Sequence, residues 1–182
     1  LAWLDRWLKD DKSAALPKTP VRAYLAGANR WADLADVPTA NTTNARTFFL
    51  ASNGAANTAA GNGVLADKAP AKAGSDKFAY DPKNPVISHG GQISGVGTDQ
   101  KDGAFDQREI EKRNDVLVYT SAPLTEDLPV FGFVTADLFV GSDAPDTDFT
   151  VKLVDVAPDG TAWNRRSTSS LRLRMRGMPN TG

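Results

Sequence analysis

The sequence contains no cysteine and a single histidine, His89, among its 182 residues. Without thiols the chain cannot form disulfides, bind a metal through thiolates or use a cysteine nucleophile. One imidazole also excludes a metal centre built from several histidines. Thiol catalysis and these two classes of metal site are therefore excluded, and cysteine usage gives no indication of the redox compartment.

Neither one sign of charge nor a long apolar run dominates the sequence. Lys and Arg total 21 against 22 Asp and Glu, so net charge gives no case for nucleic acid or for an anionic membrane as a partner. No apolar run approaches the roughly 20 residues that span a bilayer. We expect a soluble chain with neither of these partners, and the compartment, cytoplasmic or periplasmic and secreted, stays open.

The opening stretch LAWLDRWLKDD predicts an amphipathic helix. Leu1, Trp3 and Trp7 share one face with two further leucines at i, i+3, i+4, i+7 spacing. Two tryptophans on one short helix need a large partner surface. Because the helix is already under way at Leu1, we expect a piece of a longer polypeptide, with one domain and an appendage in 182 residues.

The remainder of the sequence predicts a mainly β fold. Short segments with alternating or β-branched and aromatic residues, bounded by Pro, Gly or Asp, predict strands at 21–28, 46–52, 115–121, 131–142, 148–158 and 171–177. Their spacing is typical of an antiparallel sandwich, and no βαβ rhythm appears. The polar stretches 29–46 and 52–77 are expected to be loops.

Five aspartates crowd the segment SDAPDTDFTVKLVDVAPDG: Asp143, Asp146, Asp148, Asp155 and Asp159. The first three, at i, i+3 and i+5, could converge on a calcium ion, but no glycine marks the bend and no glutamate closes the loop. Aspartates also bind their own backbone in turns. We therefore interpret them as turn residues, with Asp159-Gly160 as a hairpin turn, and predict no metal site and no cofactor.

No residue of this sequence is predicted to be catalytic. His89 has no serine in a GxSxG context to act on. The stretch HGGQISGVG lacks the strand, helix and Lys-Ser/Thr pair of a phosphate loop. Arg172, Arg174 and Arg176 alternate with apolar residues, which favours a solvated strand face over a nucleic-acid site.

Several short segments of the sequence, in order over about residues 1–160, resemble the C-terminal domain of the cocaine esterase and X-Pro dipeptidyl-peptidase family. That family includes α-amino acid ester hydrolases and glutaryl acylases. The segments are DRWLK, PVRAYLAGANRW, YDPKNPV with GG after it, FDQREIEKRNDVLVYTSAPL and SDAPDTDFTVKLVDVAPDG. The resemblance implies a jelly-roll β-sandwich of the galactose-binding-like kind over residues 17–182, ending before its last strands. Residues 1–16 would be the end of a preceding α/β-hydrolase domain that holds the catalytic triad.

The resemblance also implies two functional surfaces. Trp3 and Trp7 would pack against the catalytic domain of the same polypeptide, and one loop would line the acyl pocket at the active-site mouth. That loop begins with His89, Gly90, Gly91, Gln92, Ile93 and Ser94. The implied role is non-catalytic: bracing a serine hydrolase that cleaves acyl esters, amides or X-Pro peptides, with no activity in this chain alone.

Two further expectations accompany this interpretation. A free-standing jelly roll could bind carbohydrate through Trp31 or Trp163, which is the rival function. A sandwich that lacks strands exposes paired edges and apolar faces, so self-association into a homo-oligomer is expected unless a partner covers them.

Overall fold

The computed structural model describes residues 1–25, 28–39, 45–72, 74–91, 102–132, 134–164 and, for the backbone alone, 172–177. The chain divides into two compact units. Unit 1 comprises Leu1–Asn44 and Leu128–Phe133, and unit 2 comprises Ala45–Asp127 and Val134–Gly182. No helix in the described ranges is long and apolar enough to cross a membrane.

Unit 1 begins with helix α1, Ala2–Leu8, which confirms the predicted amphipathic helix. An ion pair between Lys9 and Asp5, 2.7 Å apart at i, i+4 spacing, supports its polar side. Asp10 then adopts a φ of 52° and ends the helical path. No side chain within α1 is buried, so its apolar face is open to solvent in this chain.

Unit 1 continues with an antiparallel hairpin of β1, Val21–Leu25, and β2, Arg30–Leu34. β2 lies in a stretch expected to be a loop, so that prediction is wrong for residues 30–34. The strand forms because its side chains meet partners across the hairpin. Tyr24 and Trp31 pack edge to face with ring centroids 5.3 Å apart, and Arg22 pairs with Asp33 at 3.5 Å.

Unit 2 contains short strands and one turn of helix. In chain order these are β3 Phe49–Ala51, β4 Val64–Ala66, α2 Arg108–Glu111, β5 Thr135–Val140, β6 Asp155–Val156, β7 Ala162–Trp163 and β8 Arg172–Gly177. β3 pairs with β4 and β6 with β7, both antiparallel, whereas β5 pairs with β8 in parallel register from Thr135 opposite Arg172. The mainly β class is confirmed, and the jelly-roll arrangement stays a prediction.

Several predicted elements of unit 2 need correction. Residues 115–121 form no strand and meet the rest of the unit through isolated bridges, Leu117 with Asn57 and Thr120 with Val64. The segment 52–77 is not all loop, because β4 lies in it, and α2 had no periodic signal. Of the strand predicted at 148–158 only β6 remains, and β8 pairs in parallel rather than antiparallel fashion.

The turn between β6 and β7 confirms the hairpin predicted at Asp159-Gly160. The Asp159 carboxylate accepts a hydrogen bond from the Thr161 amide at 2.9 Å, and Gly160 has a φ of 81°. The Gly160 amide donates to the Ala157 carbonyl at 2.8 Å. Aspartate here is a turn residue whose side chain replaces a backbone partner, as expected of Asx turns.

The core of unit 2 is small. Within the described ranges, Ala56, Ile110 and Ala162 are the only buried apolar side chains, and Gln107 and Asn164 the only buried polar ones. Two of these apolar residues lie on α2 and β7, beside the two buried amides in sequence. The centre of the unit is therefore organised as much by hydrogen bonds as by apolar packing.

Candidate functional site

The loop predicted to face substrate starts at His89, and its carbonyl is held by two buried amides. Gln107, at the N-cap of α2, donates from Nε2 to the His89 oxygen at 2.9 Å. Asn164, just after β7, donates from Nδ2 to the same oxygen at 3.0 Å. We call Gln107 and Asn164 the amide clasp. Since a carbonyl has two lone pairs, these two donors can satisfy it completely.

The amide clasp also fixes Phe105, on the returning side of the same loop. Gln107 Nε2 donates to the Phe105 carbonyl at 3.0 Å, and the Phe105 amide donates to Asn164 Oδ1 at 2.6 Å. The rings of His89 and Phe105 stack with centroids 4.8 Å apart and planes inclined by 30°. Both ends of the loop are thus tied to the same pair of side chains.

Glycines close the base of this loop. Gly91 and Gly103 exchange backbone hydrogen bonds of 2.7 and 3.0 Å. Gly90 has a φ of 73°, and a Cβ at this position would lie 2.6 Å from both the Gly103 oxygen and Phe105 Cδ2. A left-handed φ and a close backbone approach together require glycine. The Gly90-Gly91 pair is therefore explained by the geometry of the loop base.

Lys152 completes the hydrogen bonding of the Gln107 side chain. Its Nζ donates to Gln107 Oε1 at 2.8 Å. Burial lowers the pKa of Lys152, and the nearby Glu111 carboxylate partly opposes that effect. Burial likewise raises the pKa of Glu111, with a smaller contribution from the charge of Asp106. The ammonium group accepts nothing, so it fixes which end of the amide faces it.

Asp106 positions the start of α2, and with it Gln107. Its Oδ1 accepts the Arg108 amide at 3.1 Å and the Ala162 amide at 3.3 Å. The Gln107 amide in turn donates to the Ala162 carbonyl at 2.7 Å. Hydrogen bonds from the Arg108 side chain lower the pKa of Asp106 to about 2, against a smaller opposing effect of burial. The carboxylate is therefore ionised throughout the neutral range.

A second polar centre in unit 2 surrounds Asp76. Its carboxylate accepts hydrogen bonds from the Ser52 hydroxyl at 2.5 Å, the Tyr119 hydroxyl at 2.7 Å and the Ala56 amide at 2.9 Å. Burial raises the pKa of Tyr119, and its hydrogen bond to Asp76 adds to this. Ser52 and Ala56 lie in the segment after β3 and Tyr119 lies far along the chain, so this centre joins separate segments of unit 2.

Only some of the predicted site residues lie in the part of the chain that the structure describes. His89, Gly90 and Gly91 lie at the loop base, whereas Gln92, Ile93 and Ser94 lie outside the described residues. Trp3 and Trp7 are 60% and 62% exposed on α1 in unit 1. Arg172, Arg174 and Arg176 occupy alternate positions of β8, and their side chains are outside the described part.

The two tryptophans offered for the rival carbohydrate site lie in different units. Trp31 lies in unit 1, where its ring contacts Tyr24 and has the Arg22 guanidinium 5.5 Å from its centroid. Trp163 lies in unit 2, half-buried, and pairs with Asp155 in the β6–β7 hairpin. Each tryptophan has a structural partner. In the described ranges no cluster of three His, Asp or Glu side chains could hold a metal ion.

Sequence reasoning missed the amide clasp and Lys152. Gln107 and Asn164 are far apart along the chain, and no periodic pattern or chemical motif connects them. The adjacent glycines Gly90 and Gly91 are the one signal that could have indicated a close backbone approach. Buried amides of this kind are recognised by their partners, and the partners come together only in the folded chain.

Comparison with known proteins gives three relatives of much greater length. The chain is 42% identical over 161 residues to a cocaine esterase of Rhodococcus sp. (strain MB1 Bresler), covering 88% of the chain and 28% of that protein. Putative serine esterases of Mycobacterium bovis and Mycobacterium tuberculosis are 27% identical over 160 residues, covering 88% of the chain and 24% of each. The chain thus spans about a quarter of the length of these curated relatives.

Residues 15–182 match the sequence family described as the X-Pro dipeptidyl-peptidase C-terminal non-catalytic domain. That match covers most of the chain and agrees with the relatives, each of which is an esterase by name. It gives no support to the carbohydrate-binding alternative. The chain belongs to the family of X-Pro dipeptidyl-peptidase C-terminal non-catalytic domains.

Proposed function

We propose that this domain braces the α/β-hydrolase domain of a serine hydrolase within one polypeptide and supplies part of the wall of its acyl pocket. The single observation that carries the proposal is the fixed base of the Gly90-Gly91 loop, in a domain whose relatives are esterases. A loop whose two ends are rigid can present side chains at a constant position, which a specificity wall requires.

The bracing role is supported by the exposed face of α1. Trp3 and Trp7 lie with ring centroids 6.4 Å apart, and both are more than half exposed. Large aromatic side chains contribute most to the binding free energy of an interface when they are removed from water there. In the proposal this face packs on the hydrolase domain, and it promotes self-association when that domain is missing.

The wall role predicts that residues of the loop change acyl preference without being catalytic. In the full-length polypeptide, Ile93→Trp adds bulk to the loop, and Lys68→Trp adds the same bulk at an exposed position of unit 2. We expect Ile93→Trp to change the ratio of kcat/KM between bulky and small acyl esters by about tenfold or more, as pocket contacts do.

The test compares initial rates for a series of esters that differ in the acyl group alone. Lys68→Trp should leave the ratio unchanged, and the 182-residue chain alone should hydrolyse none of the esters. An unchanged ratio in Ile93→Trp would contradict the wall role. Hydrolysis by the 182-residue chain that resists serine-directed inhibitors would contradict the non-catalytic role.

A further inference from the structure

The two buried polar side chains of the described residues both act on one loop. Gln107 and Asn164 are 1% and 5% exposed. Burying an amide is costly unless its polar atoms are paired. The Nε2 and Nδ2 groups find their partners at the carbonyls of His89 and Phe105, and Asn164 Oδ1 finds the Phe105 amide. The two buried amides therefore serve mainly to fix the two ends of the loop.

Lys152 makes this arrangement directional. Its ammonium group can only donate, so Gln107 Oε1 must face it and Nε2 must face the two carbonyls. A flipped amide would bring its NH₂ group against the ammonium and leave both carbonyls without this donor. Gln107 thus has one orientation, set from the side opposite the loop.

We propose that Gln107 and Asn164 are positioning residues that set the acyl selectivity of the hydrolase by fixing the His89 and Phe105 ends of the Gly90-Gly91 loop. The inference rests on the proposed wall function and extends it to residues that touch no substrate. The clasp holds the backbone on both sides of the Gly91–Gly103 bridge, so it fixes where the loop leaves the domain and where it returns.

Two isosteric substitutions separate the donor groups from the rest of the clasp. Gln107→Glu keeps an oxygen for Lys152 and removes the donor to His89 and Phe105. Asn164→Asp keeps Oδ1 for the Phe105 amide and removes the donor to His89. The double variant leaves the His89 oxygen without either side-chain donor, at almost unchanged volume.

Asn57→Asp is the matched control. Asn57 is half-buried in the same unit, and its Nδ2 donates to the carbonyls of Lys77 and Asn114 at 2.9 and 2.7 Å. The substitution removes an amide donor from two carbonyls, as Gln107→Glu does, but at a place unconnected with the loop ends. General destabilisation of the unit should therefore appear equally in the control.

The experiment uses the full-length polypeptide that contains this domain, with two readouts. Hydrogen exchange followed by mass spectrometry reports opening of the Gly91 and Gly103 amides. We expect exchange there to be about tenfold faster or more in the double variant. The carbonyls of His89 and Phe105 would lose their side-chain amide donors and lie beside carboxylates instead. The bulky-to-small ratio of kcat/KM should shift at least about fivefold, while Asn57→Asp changes neither readout.

The outcomes distinguish the inference from the function on which it rests. Unchanged exchange at Gly91 and Gly103, or faster exchange with an unchanged ratio while Ile93→Trp alters it, would overturn the positioning role alone. An unchanged ratio in every variant, Ile93→Trp included, would overturn the wall function as well. If the double variant fails to fold, the two single variants and Lys152→Met provide the same comparison in smaller steps, and each should shift both readouts in the same direction.

Discussion

Gly90 is the position at which the loop base tolerates the least change. Its φ of 73° lies in the left-handed region, and the nearest atoms to an added Cβ include a backbone oxygen, which cannot move aside as a side chain can. Gly91 and Gly103 share positive φ values but have open space around the missing Cβ, with nothing closer than 4.0 Å. The crowding is therefore specific to Gly90.

We predict that Gly90→Ala lowers the free energy of unfolding by about 2 kcal/mol or more, from backbone strain and the contact with Gly103. Gly141→Ala is the control, because no atom lies within 4 Å of its added Cβ and its φ is not positive. That change should stay within about 0.5 kcal/mol. Urea unfolding of both variants measures the difference, and equal losses would show that the loop base is not strained by a side chain.

At the residue scale, the resemblance named a loop that begins at His89 but gave no indication of what holds its base, and the role of that loop stays a prediction. The close backbone approach at Gly90 became visible only in the structure. The amides that create it had no local signal, since Asn and Gln occur in turns, caps and surfaces alike. Their role depends on partners 18 and 75 residues away in sequence.

The strands and loops of unit 2 are joined by side-chain hydrogen bonds more than by long runs of backbone hydrogen bonds between strands. Asp76 is the clearest case, since it receives donors from the segment around β3 and from Tyr119 in the stretch that was predicted to be a strand. Arg113 acts similarly, donating to the Asn84 carbonyl at 2.6 Å and pairing with Asp115. These contacts explain how residues 115–121 stay ordered with only isolated bridges.

We predict that Asp76→Ala destabilises the domain by about 2–3 kcal/mol at neutral pH, because three donors lose a charged acceptor. Asp67→Ala is the control, since Asp67 forms an exposed ion pair with Arg46 at 2.8 Å and should contribute little. Thermal melting and urea unfolding measure both. Equal effects would mean that the Asp76 centre does not hold the segments together.

The same residue gives a pH dependence. Burial alone would raise the pKa of Asp76, but hydrogen bonds from Ser52, Tyr119 and Ala56 outweigh it and hold the pKa below its ordinary value. A lowered folded-state pKa gives stability that is present above the unfolded value of about 3.9 and is lost as the pH falls through the folded value. The stability difference between the native protein and Asp76→Ala should therefore shrink below about pH 4.

At the element scale, elements with a strong local sequence pattern were confirmed, whereas the sequence did not predict which strands pair with each other. The helix α1 and the strand β5 follow their sequence patterns. β2 was missed because its support comes from the cross-strand contacts of Tyr24 and Arg22. The parallel pairing of β5 with β8 joins segments that are far apart in sequence, and alternation within a strand is the same for both directions of pairing.

At the scale of the whole molecule, the described residues bury few apolar side chains and expose several large ones. Three apolar side chains in the described ranges are buried, whereas Trp3, Trp7 and Phe139 are 60%, 62% and 72% exposed. Trp3 and Trp7 are adjacent on α1, with ring centroids 6.4 Å apart, and a contiguous apolar face of this kind is typical of a surface that associates with another protein surface. The length of the relatives agrees with the proposal that a further domain provides that surface.

We predict that the double substitution Trp3→Ser and Trp7→Ser destabilises the full-length polypeptide and makes the 182-residue chain less prone to self-association. In the full-length polypeptide it should lower stability by about 3 kcal/mol per tryptophan, because packed aromatic contacts are lost. In the 182-residue chain it should reduce self-association, measured by sedimentation, because exposed apolar area is removed. Lys9→Ser removes only the exposed ion pair with Asp5, worth about 0.3–0.5 kcal/mol, and should change both quantities much less. Unchanged stability of the full-length polypeptide, or unchanged self-association of the 182-residue chain, would contradict an interface on α1.

The reciprocal bonds between Gly91 and Gly103 have a consequence for the length of the loop. Because Gly91 and Gly103 already close the chain at that bridge, doubling the number of residues between them should cost only about 0.6 kcal/mol of closure entropy. We therefore expect changes of length between the two glycines to cost little stability. Under the proposed wall function, replacing that span would change the substrate preference while the hydrogen bonds at the loop base stay the same.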